Sequence, residues 1–217
     1  MNIPLIIYRI SGWLITITEI SLAIFAMTTK RMWQGKYIFI AIYLCFNAFS
    51  DIVSLITATL SVNNLFLSNI VSPMNFTMKA LFLREQQRNQ FVRLGVILII
   101  IVFVSINIIN SFYLNKFKEI STIGLIINRS FFLIFTVRNL TLMFRNRSNL
   151  NKLRQNPDFW FTATMFCFAF MGLMTTVLTD VSYAAGSDMV LYILFISENL
   201  IDVGIYWGYY RAIKLLR

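Results

Sequence analysis

The chain has 217 residues, 58% of them hydrophobic and 13% charged, with a mean hydropathy of +0.72, whereas an ordinary soluble domain is about half apolar and a quarter charged. That balance excludes a water-soluble globule and points to an all-α polytopic membrane bundle. The formal charge of +10 comes with no histidine, which removes imidazole metal sites and the commonest general base, and the excess lies in segments between apolar runs, where basic membrane loops explain it without nucleic acid.

Seven apolar runs follow in order, expected as one transmembrane domain over residues 1–217. The first, Ile3 to Met27, has no small-residue cleavage site after a short apolar core and reads as a retained helix. TTKRMWQGK, with Lys30, Arg31 and Lys36, leads into the second, Tyr37 to Leu60, which ends at SVNN. Leu65 to Leu83 is the third, with Pro73 near its middle removing a backbone donor and favouring a kink. After Arg84, Arg88 and Arg93 comes Leu94 to Tyr113, free of charge and expected to be the most lipid-exposed. A loop with Lys116, Lys118 and Glu119 precedes Thr122 to Phe144. RNRSNLNKLRQNPD then places Asn156, Pro157 and Asp158 to start the sixth helix, Phe159 to Thr179. A short polar turn, Asp180 to Ser187, opens into the seventh, Asp188 to Tyr210. Cys45 and Cys167 both fall inside apolar runs, where a free cysteine packs as a small hydrophobe.

Lysine and arginine concentrate in alternate loops and in the tail RAIKLLR, while the other side carries little beyond Arg9, Lys116 and Lys118. The charge bias therefore predicts an outside N-terminus and a cytoplasmic C-terminus in the cell membrane.

Inside these apolar runs stand ionisable residues that a plain anchor does not need. Glu198 and Asp202 lie four apart in the seventh run, on one helical face with Phe195 and with Tyr206 or Tyr209. Glu19 shares a face with Gly12, Thr16, Ala23 and Ala26, and Asp51 shares one with Tyr43, Asn47, Ser54 and Ala58. Small residues mark the packed side of a membrane helix, so three helices aim acids inward. At about 1.5 Å per residue, the four acids span roughly 10 Å of depth. Lys79 and Arg138 match the depth of Glu19 and Asp202, and Arg129 lies nearer to that of Asp51. Arg129 and Arg138, nine residues apart, are about half a turn out of phase. Unpaired, the seven groups would cost about 20 kcal/mol on an insertion scale. They are accordingly either a binding site for a small ligand or proton or polar glue between helices. Tyr206, Trp207, Tyr209 and Tyr210 read as an interfacial aromatic belt.

No GxxxxGKS loop, GxSxG elbow, CxxC pair or HExxH helix occurs, so no enzyme, metal or cofactor is expected. The seventh run lacks a lysine for a retinal Schiff base. The stretch SVNNLFLSNIVSPMNFTMKALFLRE, an NN-containing turn opening a third helix that ends in basic residues, resembles small uncharacterised seven-helix bacterial inner-membrane proteins. That resemblance implies the topology and a multi-pass inner-membrane location, and it brings no functional residues. Three functions fit: a receptor or sensor that signals through a protein partner or homo-oligomer, a proton-coupled small-solute transporter, and a structural or assembly subunit of a membrane complex.

Overall fold

The computed structural model describes residues 3–60, 65–114, 122–146, 150–184 and 188–217. Among these residues the structure is all-helical: α1 (Ile3–Thr28), α2 (Tyr37–Thr59), α3 (Leu65–Glu85), α4 (Gln90–Ile109), α5 (Thr122–Asn146), the single-turn α6 (Leu150–Arg154), α7 (Pro157–Ala184) and α8 (Asp188–Leu216). A 3₁₀ turn, Lys30–Trp33, precedes α2, and a π-helical turn, Asn110–Leu114, ends α4. The SVNN turn, the loop bearing Lys116, Lys118 and Glu119, Arg147 and the end of the polar turn before α8 lie outside the described residues.

Among the described residues five helices, α1, α2, α4, α5 and α7, are long and apolar enough to cross a membrane, and they fit a multi-pass membrane protein. Of the five spans, that of α4 is the least buried, at 17%, in keeping with the uncharged run from Leu94. Several helix ends differ from the sequence reading. α4 starts at Gln90 because the Asn89 side chain caps it, accepting from the Phe91 amide at 2.8 Å. α7 starts on Pro157, a first-turn proline backed by Asn156, whose side-chain oxygen accepts from the Asp158 amide. It also runs on to Ala184 through most of the expected turn. α8 continues past Tyr210 to Leu216 because Ala212, Ile213 and Leu216 keep a buried stripe at helical spacing.

The chain packs as two compact units. The first comprises residues 1–22 and 129–216, hence most of α1 and of α5 with α6 to α8; the second comprises residues 23–128 with Arg217, hence the end of α1, α2 to α4 and the start of α5. In the first, α7 and α8 form a long antiparallel pair. They approach closely where Gly208 lies against Thr164, since a Cβ on Gly208 would collide with the Thr164 hydroxyl. Trp160 and Trp207 meet edge to face at 5.4 Å beside this crossing. In the second unit α2, α3 and α4 pack in sequence. Phe76 of α3 stacks on Phe103 of α4 at 4.0 Å, and Tyr37 of α2 meets Phe82 of α3 at 6.2 Å.

Candidate functional site

The first unit holds Glu19, Arg129, Arg138, Glu198 and Asp202; the second holds Asp51 and Lys79. The site is built outward from Arg129. From the crossing of Gly208 and Thr164, ten residues back along α8 and ten forward along α7 reach Glu198 and Met174, so the antiparallel register sets Glu198 level with the segment from Gly172 to Thr176. Arg129 of α5 enters at that level. Its guanidinium donates to the Gly172 carbonyl and to the Thr176 hydroxyl, and its other terminal nitrogen lies 3.9 Å from a Glu198 carboxylate oxygen. One side chain thereby links three helices.

Glycine at position 172 is a requirement of this arrangement. A Cβ there would sit 2.6 Å from Arg129 Nε and 2.8 Å from its Cζ, so any larger residue displaces the guanidinium. At 3.9 Å the contact with Glu198 is an ion pair without a close hydrogen bond. Asp202, one turn further along α8, is also within electrostatic reach of Arg129. Two carboxylates thus share one arginine, whose fixed hydrogen bonds go to neutral oxygens of α7. Such a pair changes its charge state, when one acid takes a proton, without dismantling the arginine's seat.

A second set of contacts ties α8 to α1. Tyr206 donates its hydroxyl hydrogen to Glu19 Oε1, both residues being buried, and Asn199 donates to the Ser11 hydroxyl at 3.0 Å. Ser11 and Glu19 are eight residues apart on α1, and Asn199 and Tyr206 seven apart on α8, so the two helices run parallel. Glu19 therefore lies on the packed face with Ala23 and Ala26, as its small-residue spacing indicates.

The remaining predicted residues are placed differently. Arg138 is exposed on α5 beside exposed Val137, because nine residues of helix turn it about half a revolution from Arg129. In the second unit the α2–α3 register is set by Asn75, which donates to Asn47 at 2.8 Å, and by Lys79, whose ammonium lies 4.8 Å from the Tyr43 ring centroid. Lys79 is buried at 6% exposure, so ring and amine meet in a desolvated cation–π contact. The same register puts half-buried Asp51 level with Val71, eight residues and about 12 Å along α2 from Tyr43. Depth counting had set Arg129 nearest Asp51; its ion pair is with Glu198, because depth fixes a level and not which helices are neighbours.

Two readings are corrected by burial. The aromatic cluster of α8 divides by helical phase: Tyr206 and Tyr209 are buried, and only Trp207 and Tyr210 are exposed in the manner of an interfacial belt. Tyr206 is thus a ligand of Glu19; its place on the face of Glu198 and Asp202 was the signal for it. Cys167 is exposed on α7, on the side away from buried Met165 and Ala169. No protein-family model, curated protein or solved structure matches the chain.

Proposed function

We propose that the chain is a seven-span membrane receptor or sensor, in which α3 and α8 join the five more apolar helices as spans and the Arg129–Glu198 pair receives the signal as a proton. The observation that carries this reading is the seating of Arg129: hydrogen-bonded to Gly172 and Thr176 of α7 and only ion-paired, at 3.9 Å, with Glu198 of α8. An intramembrane carboxylate is costly when charged and poorly partnered, and the protein has no histidine, so carboxylates are its proton acceptors in the neutral to acidic range. When Glu198 takes a proton, Arg129 keeps its seat on α7 and loses its pull on Glu198. Asp202, the other acid within reach of Arg129, becomes the better partner. A small shift of α8 against α5 and α7 follows, a population change between two packings of the same helices.

The parallel run of α1 and α8 supports the seven-span reading, since a first and a seventh span cross in the same direction. The output end is the basic last stretch of α8. This helix is continuous from Asp188 to Leu216, so movement at Glu198 is transmitted rigidly to Arg211 and Lys214, where a partner protein in the cell membrane would read it.

Spin labels on exposed Ile134 of α5 and Leu200 of α8, in nanodiscs at pH 8 and pH 4, test the proposal. The interlabel distance distribution is expected to shift with pH in the wild type. In Glu198→Gln it should hold the low-pH form at both values. A distribution independent of pH overturns the sensor reading. The tie of α1 to α8 through Ser11–Asn199 and Glu19–Tyr206 supports the structural reading, which would then stand. Uptake into proteoliposomes that depends on a pH gradient and is lost in Glu198→Gln would instead favour the transporter.

A further inference from the structure

The second unit contains a half-open cavity of about 330 Å³ between α3 and the end of α4, near the lower end of the size range of small-molecule pockets. Asn69, Pro73 and Thr77 line one side, and Val104, Asn107 and Ser111 the other. The cavity exists because a proline and short polar side chains meet where two membrane helices would otherwise interlock large ones; just beyond it, Phe76 and Phe103 close the packing. Its polar groups differ in one respect. Thr77 donates to the Pro73 carbonyl at 2.8 Å and Asn107 to the Phe103 carbonyl at 2.8 Å, whereas the buried Asn69 side-chain nitrogen has no acceptor among the described residues. A buried amide left so is costly, and its main-chain neighbourhood is depleted too, because Pro73 has no N–H to offer the Asn69 carbonyl.

We infer that this cavity binds one acyl chain whose carbonyl oxygen accepts a hydrogen bond from the Asn69 side-chain amide. The missing element is an acceptor, and among the described residues the lining holds no lysine or arginine for a phosphate. The polarity is graded along the helix axis. Asn69 lies four residues from the start of α3 and Ser111 just past the end of α4, at the boundary end of the helices, whereas Met78 and Val104 lie deeper. From Asn69 to Met78 the rise is about 13 Å, close to half of a hydrocarbon core of about 30 Å. The groove therefore matches one leaflet's chain, carbonyl at the boundary and methylenes along Pro73, Met74 and Met78. Ile70, Ile108 and Phe112 at its rim are exposed, which leaves the groove open to a chain entering from the side. An esterified lipid and a free fatty acid present the same chemistry.

The test uses the full chain in phosphatidylcholine nanodiscs doped either with a phosphatidylcholine carrying a diazirine in one acyl chain or with a diazirine fatty acid, followed by irradiation and mapping of adducts. Adducts are expected to concentrate on Met74, Met78 and Val104, several-fold above the exposed Leu98 and Ile101 of α4, and the probe that labels identifies the source. Asn69→Leu, which removes the unpaired donor without disturbing a bond, should lower that labelling about fivefold, and Val104→Trp should abolish the enrichment by filling the cavity. Val104→Phe serves the same purpose if tryptophan prevents folding. Labelling spread evenly over exposed positions of α3 and α4, labelling unchanged in Asn69→Leu, or adducts replaced by crosslinks to a second copy would each overturn the inference.

Discussion

The two units hold their helices together by different chemistry. In the first, charge is central: Arg129 spans α5, α7 and α8, and Glu19 fastens α1 to α8 through Tyr206. In the second, α2, α3 and α4 are tied along their lengths by an amide pair, a lysine over a tyrosine ring and stacked phenylalanines, and charge enters where α3 meets α4, at a Glu85 carboxylate that accepts from both Arg84 and Arg93. Neutral and cation–π contacts are insensitive to a proton on a carboxylate, whereas an arginine shared by two acids is not. On the proposed reading, response belongs to the first unit, where the arginine and its acids stand mid-helix, and scaffolding to the second, whose Glu85 ion pairs lie at the helix ends.

The largest effect should come from Arg129→Leu, which leaves Glu198 without its ion pair and removes both hydrogen bonds from α5 to α7 at once. A loss of about 3 kcal/mol is expected in reversible unfolding from bicelles, with most of it recovered in the Arg129→Leu/Glu198→Leu double variant. A single variant as stable as the wild type would erase the distinction between the units. Gly208→Val should cost about 2 kcal/mol by overpacking the α7–α8 crossing, and Thr164→Ala in the same chain should restore part of it, since the Thr164 hydroxyl is what a Cβ meets. Tyr206→Phe should cost about 1 kcal/mol, visible also as faster amide exchange in α1. The smallest loss belongs to the second unit: Asn75→Leu removes one interhelical amide bond, worth about 0.6 kcal/mol, and should behave identically at pH 8 and pH 4.

The helices themselves were readable from apolar runs, and so was the inward face of α1, because Gly12, Thr16, Glu19, Ala23 and Ala26 recur at helical spacing in a chain with little other order. Half-turn phasing along the sequence already separates Arg129 from Arg138. The pairing of Arg129 with Glu198 was not readable, since depth along a helix carries no information about which helix stands beside it. The groove at Asn69 was hidden for a related reason. Pro73 announces a missing donor, but only the approach of Asn107 and Ser111 from α4 turns that gap into a cavity. Tyr206 was divided from its aromatic neighbours by one hundred degrees of helix per residue, a phase that composition alone conceals.

The central claim is that Glu198 and Arg129 are coupled as charges and that a proton uncouples them. A double-mutant cycle with Arg129→Leu and Glu198→Leu, run on unfolding free energy at pH 8 and pH 4, measures this coupling apart from every other carboxylate. The account predicts a favourable coupling of about 1 kcal/mol or more at pH 8 that disappears at pH 4. Equal coupling at the two pH values, or none at either, would contradict it.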